Sequence, residues 1–198
     1  MRKGFSRVEM FCVLAGAIMS VLILASPLTR VSGPFFSSGA AAAMVLALFV
    51  FVMVIWIAGQ DLATMTIPDG PLIAIALVGA AVRVAQSADE PAMVALSAIL
   101  DALLCGGALL AVREVFFRLR GIDGLGFGDV KLAAASAVLI GTTAFFWALF
   151  LASLAGIIFA VGAGVLKQSR RLDRLAFGAL LAPACWCAWI WGLWGGAQ

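Results

Sequence analysis

Histidine and tyrosine are absent from this 198-residue chain, and charged residues make up only 12% of it. The absence of histidine excludes Ser-His-Asp and Cys-His catalysis and HExxH zinc sites within this sequence. A soluble domain carries about 25% charged residues, whereas here 65% of residues are hydrophobic and the mean hydropathy is +1.16. The composition therefore predicts an integral membrane protein. The net charge of only +3 predicts no nucleic-acid partner.

The few cysteines lie in apolar runs and form no CxxC pair: Cys12, Cys105, Cys185 and Cys187. Zinc knuckles and disulfide frameworks depend on such spacings. We therefore interpret the cysteines as small apolar side chains, and we expect no metal and no cofactor.

Long continuous apolar runs favour membrane-spanning helices over a β-barrel, whose strands are alternating segments of about 10 residues. The predicted fold is an all-α polytopic protein with about seven transmembrane helices: an N-terminal segment, 1–38, precedes a six-helix core, 39–198. The run from Val130 to Leu166 is too long for one span, so it is divided near Gly141. The predicted helices are 8–28, 39–60, 70–87, 92–112, 129–141, 143–166 and 175–196.

Basic residues predict the orientation of these helices. If the N-terminus is cytoplasmic, only Arg30 and Arg83 fall on the far side of the membrane. The positive-inside rule therefore favours a cytoplasmic N-terminus, with 61–69, 113–128 and 167–174 as cytoplasmic loops. The other basic residues then lie on the cytoplasmic side: Arg2, Lys3, Arg7, Arg113, Arg118, Arg120, Lys131, Lys167, Arg170, Arg171 and Arg174.

Two acids lie in contexts that suit catalysis: Asp61 in WIAGQDLATMTIPDG and Asp129 in GIDGLGFGDVKLAAA. Both are expected at the cytoplasmic membrane boundary, where a charge near hydrocarbon is costly and favours a functional role. Two carboxyl groups brought together do not both ionise easily, so one keeps a proton while the other acts as a base. Such a pair can hydrolyse a peptide bond. The simpler interpretation is a helix N-cap for Asp129 and a solvated helix end for Asp61.

The glycines of the GFGD stretch add a backbone argument, because Gly126 and Gly128 have no Cβ and let the main chain approach a substrate strand closely. Asp69 is expected to cap a helix start. Asp101 falls near the middle of a predicted span, where an acid is expensive. It is expected to stay protonated, to bond to a neighbouring helix or to reach Arg83. Asp101 therefore leaves open an alternative function, a small proton- or ion-coupled transporter using this acid with the other two.

Three blocks of the sequence resemble the type IV prepilin peptidases, which are GxGD-type intramembrane aspartic proteases. The first is Asp61 followed by Ile67-Pro68-Asp69, and the second is Gly126-Phe127-Gly128-Asp129-Val130-Lys131-Leu132. The third, LAFGALLAP at 175–183, resembles the closing Phe-Gly block of the family. It departs from that block at Ala176 and Ala179, where the family usually has proline. The resemblance covers roughly residues 40–196.

The resemblance implies that Asp61 and Asp129 are the catalytic pair of a peptidase in the bacterial inner membrane. It implies removal of a short basic leader from prepilin or pseudopilin substrates, after Gly and at the cytoplasmic face. The large members of the family also methylate the new N-terminus and carry a CxxC zinc segment that this sequence lacks, which makes methylation doubtful. A homodimer is left open. Supporting or substrate-binding roles are expected for Gly126, Gly128, Lys131, Pro68, Asp69, Phe177 and Gly178.

The opening residues, MRKGFSRVEMF, themselves resemble a prepilin leader, with Gly4-Phe5 at the junction and Glu9 at the fifth position counted from Phe5. Three interpretations stay open. The basic residues simply anchor the first helix, the chain cuts itself between Gly4 and Phe5, or the segment is an uncut pseudosubstrate. A non-catalytic assembly subunit with the same fold is a further alternative to the enzyme.

Overall fold

The computed structural model describes residues 40–86, 90–121, 124–165 and 176–195, and these residues form helices joined by short segments. Four of the helices are long and apolar enough to cross a membrane, and the last is a shorter apolar helix. The described chain is therefore an all-helical, multi-pass membrane protein. The helices are α1 (Ala40–Thr64), α2 (Asp69–Gln86), α3 (Pro91–Arg120), α4 (Phe127–Val165) and α5 (Gly178–Gly195).

The predictions 39–60, 70–87 and 175–196 agree with α1, α2 and α5 to within about one helical turn. The predicted first helix, 8–28, and the predicted loop 167–174 lie outside the described residues.

α3 is longer than the sequence predicted. A helix over 92–112 and a loop over 113–128 were expected, but α3 continues to Arg120. In the added segment Arg118 Nε donates to Glu114 Oε1 at 2.8 Å, an i,i+4 pair that supports a helix. Gly121 then ends the helix in the left-handed conformation, as helix-terminating glycines commonly do. The loop prediction was therefore wrong for 113–120.

α4 is interrupted at Gly141, whose φ of 77° and ψ of 165° are not helical. A straight helix of 39 residues would extend about 58 Å, well beyond a hydrocarbon core of about 30 Å. Glycine takes a positive φ at little cost, so the break falls at the residue best suited to it. The break agrees with the predicted division between 129–141 and 143–166.

Small residues let the helices approach closely, which is the usual way that membrane helices pack. A Cβ atom on Gly79 of α2 would lie 2.7 Å from the Leu139 Cα of α4. A Cβ atom on Gly106 of α3 would lie 3.0 Å from the Ala134 Cβ of α4. α4 is thus held against two neighbouring helices. Large apolar side chains cover the outer surface, where lipid tails can solvate them, among them Leu48, Ile55, Leu103, Trp147, Phe150 and Ile158.

Candidate active site

Asp61 continues the buried face of α1. The core residues Val50, Val54 and Ile57 follow one another at intervals of three or four positions, which places them on one side of a helix. Asp61 comes four positions after Ile57, on the same side, and is only 6% exposed. The interpretation of Asp61 as a solvated helix end was therefore wrong.

Asp129 lies in the first turn of α4 and also faces the core, with 8% of its surface exposed. Leu132 and Ala133, one turn further along α4, are almost fully buried. Asp129 N–H donates to the Gly126 carbonyl oxygen at 3.1 Å, which closes a turn at the start of the helix. This turn sets the direction in which the GFGD segment presents its carboxyl group.

Gly178, the first residue of α5, lies against both carboxyl groups. A Cβ atom built on it would be 2.9 Å from Asp61 Oδ2 and 3.1 Å from Asp129 Oδ1. These two oxygens are therefore no farther apart than the sum of the two distances, about 6 Å. Asp129 Oδ1 is buried and has no hydrogen-bond partner among the described residues, so the two carboxyl groups do not bond directly through this atom. The structure brings together the two acids that the sequence singled out.

The N-terminus of α5 points at Asp61, because the Ala179 N–H donates to Asp61 Oδ2 at 2.9 Å. The first N–H groups of a helix have no partner within the helix, and the helix dipole favours negative charge at this end. The bond therefore orients Asp61 and stabilises its ionised form. Sequence reasoning missed this donor because a backbone N–H can come from almost any residue. The only signal was its position just after Phe177-Gly178.

The two glycines of the GFGD segment make room for different neighbours. A Cβ atom on Gly126 would lie 3.1 Å from Asp129 Oδ2, so this glycine leaves space for the carboxyl group. A Cβ atom on Gly128 would lie 3.0 Å from the Ile67 Cβ. Ile67 belongs to the short connection between α1 and α2. It stood in the first resembling block, but no role was predicted for its side chain.

Lys131 and Asp69, both predicted to support the site, form an ion pair of 2.7 Å between Nζ and Oδ1. The Lys131 ammonium also lies 5.4 Å from the centre of the Phe127 ring, within range of a cation–π contact. The pair joins the first turn of α2 to the second turn of α4. Asp69 was predicted to cap a helix start. It is the first residue of α2, and its carboxylate links α2 to α4 through Lys131.

The remaining predicted support residues lie close in the chain to these groups. Pro68 directly precedes α2, and the Phe177 carbonyl accepts the N–H groups of Leu180 and Leu181 at 3.0 and 2.9 Å at the start of α5. The candidate processing site Gly4, Phe5 and Glu9 lies outside the described residues.

Asp101 belongs to a separate polar cluster. Its carboxylate accepts a hydrogen bond from Arg83 Nη1 and one from Thr142 Oγ1, each at 2.6 Å. Of the three arrangements predicted for Asp101, the structure shows the contact with Arg83 together with a bond to a neighbouring helix. Thr142 follows Asp129 along α4 by about 20 Å at the helical rise. This separation and the ion pair argue against one continuous path through Asp101, Asp61 and Asp129.

The fold and the paired aspartates define a multi-pass membrane protein with an acidic site where α1 ends and where α4 and α5 begin. Residues 47–161 match the model of the type IV leader peptidase family. The match covers more than half of the chain, and the protein belongs to this family.

The chain is similar to several curated proteins that carry the name prepilin leader peptidase/N-methyltransferase. It is 36% identical to that of Aeromonas salmonicida (strain A449) over 48% of this chain and 33% of the relative. It is 32% identical to that of Xanthomonas campestris pv. campestris over 76% of this chain and 50% of the relative. The matched region thus spans half or less of these relatives. No solved structure matches the chain.

Proposed function

We propose that this protein is an aspartic endopeptidase of the intramembrane GxGD type, which removes the short basic leader from type IV prepilin-like precursors after a Gly. The observation that carries the proposal is the pair of buried carboxyl groups, Asp61 and Asp129, on either side of the space next to Gly178. Family membership and the printed names of the relatives support the substrate class. The methyltransferase half of that name is not extended to this chain.

The proposed reaction is a direct hydrolysis by water held between the two carboxyl groups. A bridging water needs about 2.7 Å to each oxygen, and the upper limit of about 6 Å on the separation of the two oxygens is compatible with such a water. The ionised carboxylate takes a proton from the water, whose oxygen attacks the peptide carbonyl carbon. The protonated carboxyl group gives its proton to the leaving nitrogen as the C–N bond breaks. The products are a carboxylate on the leader and a free amine on the mature pilin.

The two carboxyl groups titrate as a pair, so the proton belongs to the pair before the reaction. The Ala179 N–H on Asp61 stabilises negative charge on this carboxyl group whenever it is ionised. Its bond also fixes the orientation of one of the two reacting groups. Such pre-organisation contributes more in a site shielded from water than it would in solution.

We propose that the site faces the cytoplasm of a bacterial inner membrane. The support is the distribution of charge, because Lys131 and the exposed Arg118 and Arg120 lie at the same ends of α3 and α4 as the paired acids. A cysteine introduced by Arg118→Cys, in an exposed position, is expected to react with a membrane-impermeant maleimide only when the reagent reaches the cytoplasmic side. Labelling of intact cells from outside would contradict this orientation.

Cleavage of a prepilin bearing a Gly-Phe-x-x-x-Glu junction tests the enzyme most simply. Wild type and Asp129→Asn are reconstituted with this precursor, and the intact masses are read. General acid–base groups contribute about 10²–10⁴-fold to rate, so the variant is expected to lose at least that much. Asp101→Asn is the matched control, because it removes another membrane acid outside the proposed site. If Asp101→Asn abolished cleavage while Asp129→Asn did not, the transporter-like alternative would gain support and the peptidase would lose it.

The same mass spectra test the N-terminal segment. We propose that 1–38 is a prepilin-like segment attached to a peptidase core of 39–198. Self-processing between Gly4 and Phe5 would remove residues 1–4 from the wild-type enzyme, whereas Asp129→Asn would keep these residues. An intact N-terminus in an active enzyme would leave the anchor and pseudosubstrate interpretations.

A further inference from the structure

Ile67 occupies the space beside the paired carboxyl groups. Its side chain runs along Gly128, where a Cβ atom would meet Ile67 Cβ at 3.0 Å and Cδ1 at 3.3 Å. Its Cδ1 end reaches Gly178, where a Cβ atom would lie 2.6 Å away. Both neighbours lack side chains, so the isoleucine fills the volume between them. A substrate peptide held at the two carboxyl groups would therefore lie next to this side chain.

The distances place the Ile67 methyl group at the reacting centre. A Cβ atom built on Gly178 would lie 2.6 Å from Ile67 Cδ1, 2.9 Å from Asp61 Oδ2 and 3.1 Å from Asp129 Oδ1. Ile67 Cδ1 is therefore within about 6 Å of each carboxylate oxygen. A peptide carbonyl carbon attacked by water between these oxygens brings its flanking residues within a few ångströms of this methyl group.

The connection that carries Ile67 is held at both ends. Met65 N–H bonds to the Asp61 carbonyl oxygen at 2.9 Å, and Met65 takes a positive φ of 53°, so α1 ends sharply there. Pro68 restricts the backbone of the residue before it to extended conformations, which fixes Ile67. At the far end, Asp69 binds Lys131 of α4 at 2.7 Å. Rotation of this segment away from the paired acids would break that ion pair.

We propose that Ile67 limits the size of the substrate residue accepted next to the cleaved bond, and that the Asp69–Lys131 ion pair positions it. The inference rests on the proposed peptidase function and adds the residue that sets its preference for Gly. A branched apolar side chain against the paired carboxyl groups leaves little room for a Cβ on the substrate. Gly128 and Gly178 of the enzyme are then required for Ile67 to fit beside the carboxyl groups. A glycine in the substrate is required for the peptide to fit next to Ile67.

The test compares two precursors that differ only in the residue before the cut, Gly or Ala. Wild type is expected to favour the Gly precursor in kcat/KM. Ile67→Ala removes the bulk that opposes the added methyl, so it is expected to lower the Gly-to-Ala ratio by about tenfold or more, the scale on which apolar pockets discriminate one carbon. Ile67→Val, which removes a single carbon, is expected to shift the ratio in the same direction by less.

The outcomes separate the two proposals. If wild type does not cut the Gly precursor, the peptidase function itself fails. If wild type cuts it and both Ile67 variants keep the wild-type ratio, the role of Ile67 is overturned. Should Ile67→Ala be inactive on both precursors, the ratio for Ile67→Val decides. Loss of all activity in both variants would also contradict the proposal, since a smaller side chain only enlarges the space.

The Gly-to-Ala ratio also tests whether the Asp69–Lys131 ion pair positions Ile67. Lys131→Met is expected to lower the Gly-to-Ala ratio while the protein still folds, since an ion pair of which both side chains are close to half exposed contributes little to stability. The charge-swapped double variant, Asp69→Lys with Lys131→Asp, is expected to restore part of the ratio. Glu114→Gln removes another exposed ion pair, on α3, and serves as the control with an unchanged ratio. An unchanged ratio in Lys131→Met would show that the Asp69–Lys131 ion pair does not position Ile67.

Discussion

A single methyl group added at Gly178 is expected to lower the activity of the enzyme strongly without unfolding it. The Cβ atom of Gly178→Ala would lie 2.6 Å from Ile67 Cδ1 and 2.9 Å from Asp61 Oδ2. Carbon atoms prefer a separation of about 3.5–4.0 Å, and close carbon–oxygen contacts are about 3.3–3.6 Å. Several tenths of an ångström to about 1 Å of movement must therefore be shared by the isoleucine and the carboxyl groups.

The size of the effect follows from that movement. A displacement of about 1 Å at a reacting group can lower the rate about 10²-fold, so we expect kcat/KM to fall by about that factor. The loss of stability is limited to about 1–3 kcal/mol even if the contacts do not relax. It is offset in part by the higher helix propensity of alanine, up to about 1 kcal/mol over glycine.

The assay measures kcat/KM for prepilin cleavage and the thermal midpoint of the same purified samples. Gly192→Ala is the matched control, because it lies on the same helix and its added Cβ would have no neighbour within 4 Å. It is expected to keep wild-type activity and equal or greater stability. Wild-type kcat/KM in Gly178→Ala would refute the claim that the space beside this glycine is where the reaction occurs.

Four further substitutions test the packing and the backbone of the helices. Gly79→Ala is expected to destabilise the fold by about 1–3 kcal/mol, since its Cβ would lie 2.7 Å from the Leu139 backbone, whereas Gly107→Ala meets no neighbour within 4 Å and is expected to be neutral or stabilising in thermal unfolding. Met65→Gly relieves a positive φ and is expected to raise the free energy of unfolding by about 1 kcal/mol. Asp101→Asn leaves the partly buried Arg83 without its charged partner and is expected to lower the thermal midpoint while leaving the cleavage of folded enzyme within a few-fold of wild type.

Within the described residues most predicted spans agree with the helices, because apolar length is a strong signal in a membrane protein. The division of the long apolar run at Gly141 succeeded for the same reason, since 39 residues exceed any single span. The end of α3 was misjudged because charged residues such as Arg113 and Glu114 were assigned to a loop. Charge marks the membrane boundary, but a helix can continue through it into water, and here Gly121 ends it.

Some residues of the candidate site could likewise be predicted from the sequence, and others could not. Asp61 and Asp129 could be chosen from sequence because acids near hydrocarbon are rare and costly. The pairing of Lys131 with Asp69 could not, since opposite charges 62 positions apart become neighbours only through the fold. Ile67 carries no chemical signal at all, because an isoleucine in an apolar chain is unremarkable by type. Its place beside the paired acids follows from contacts with two glycines on other elements.

A double-mutant cycle tests the central claim that Asp61 and Asp129 act as one catalytic unit. Single-turnover rates of prepilin cleavage are measured for wild type, Asp61→Asn, Asp129→Asn and the double variant, all confirmed as folded. Residues that act as a unit give grossly non-additive effects, so the account predicts that each single variant is about as slow as the double. Losses that multiply, with either single variant retaining substantial activity, would contradict it and show that the two acids act independently.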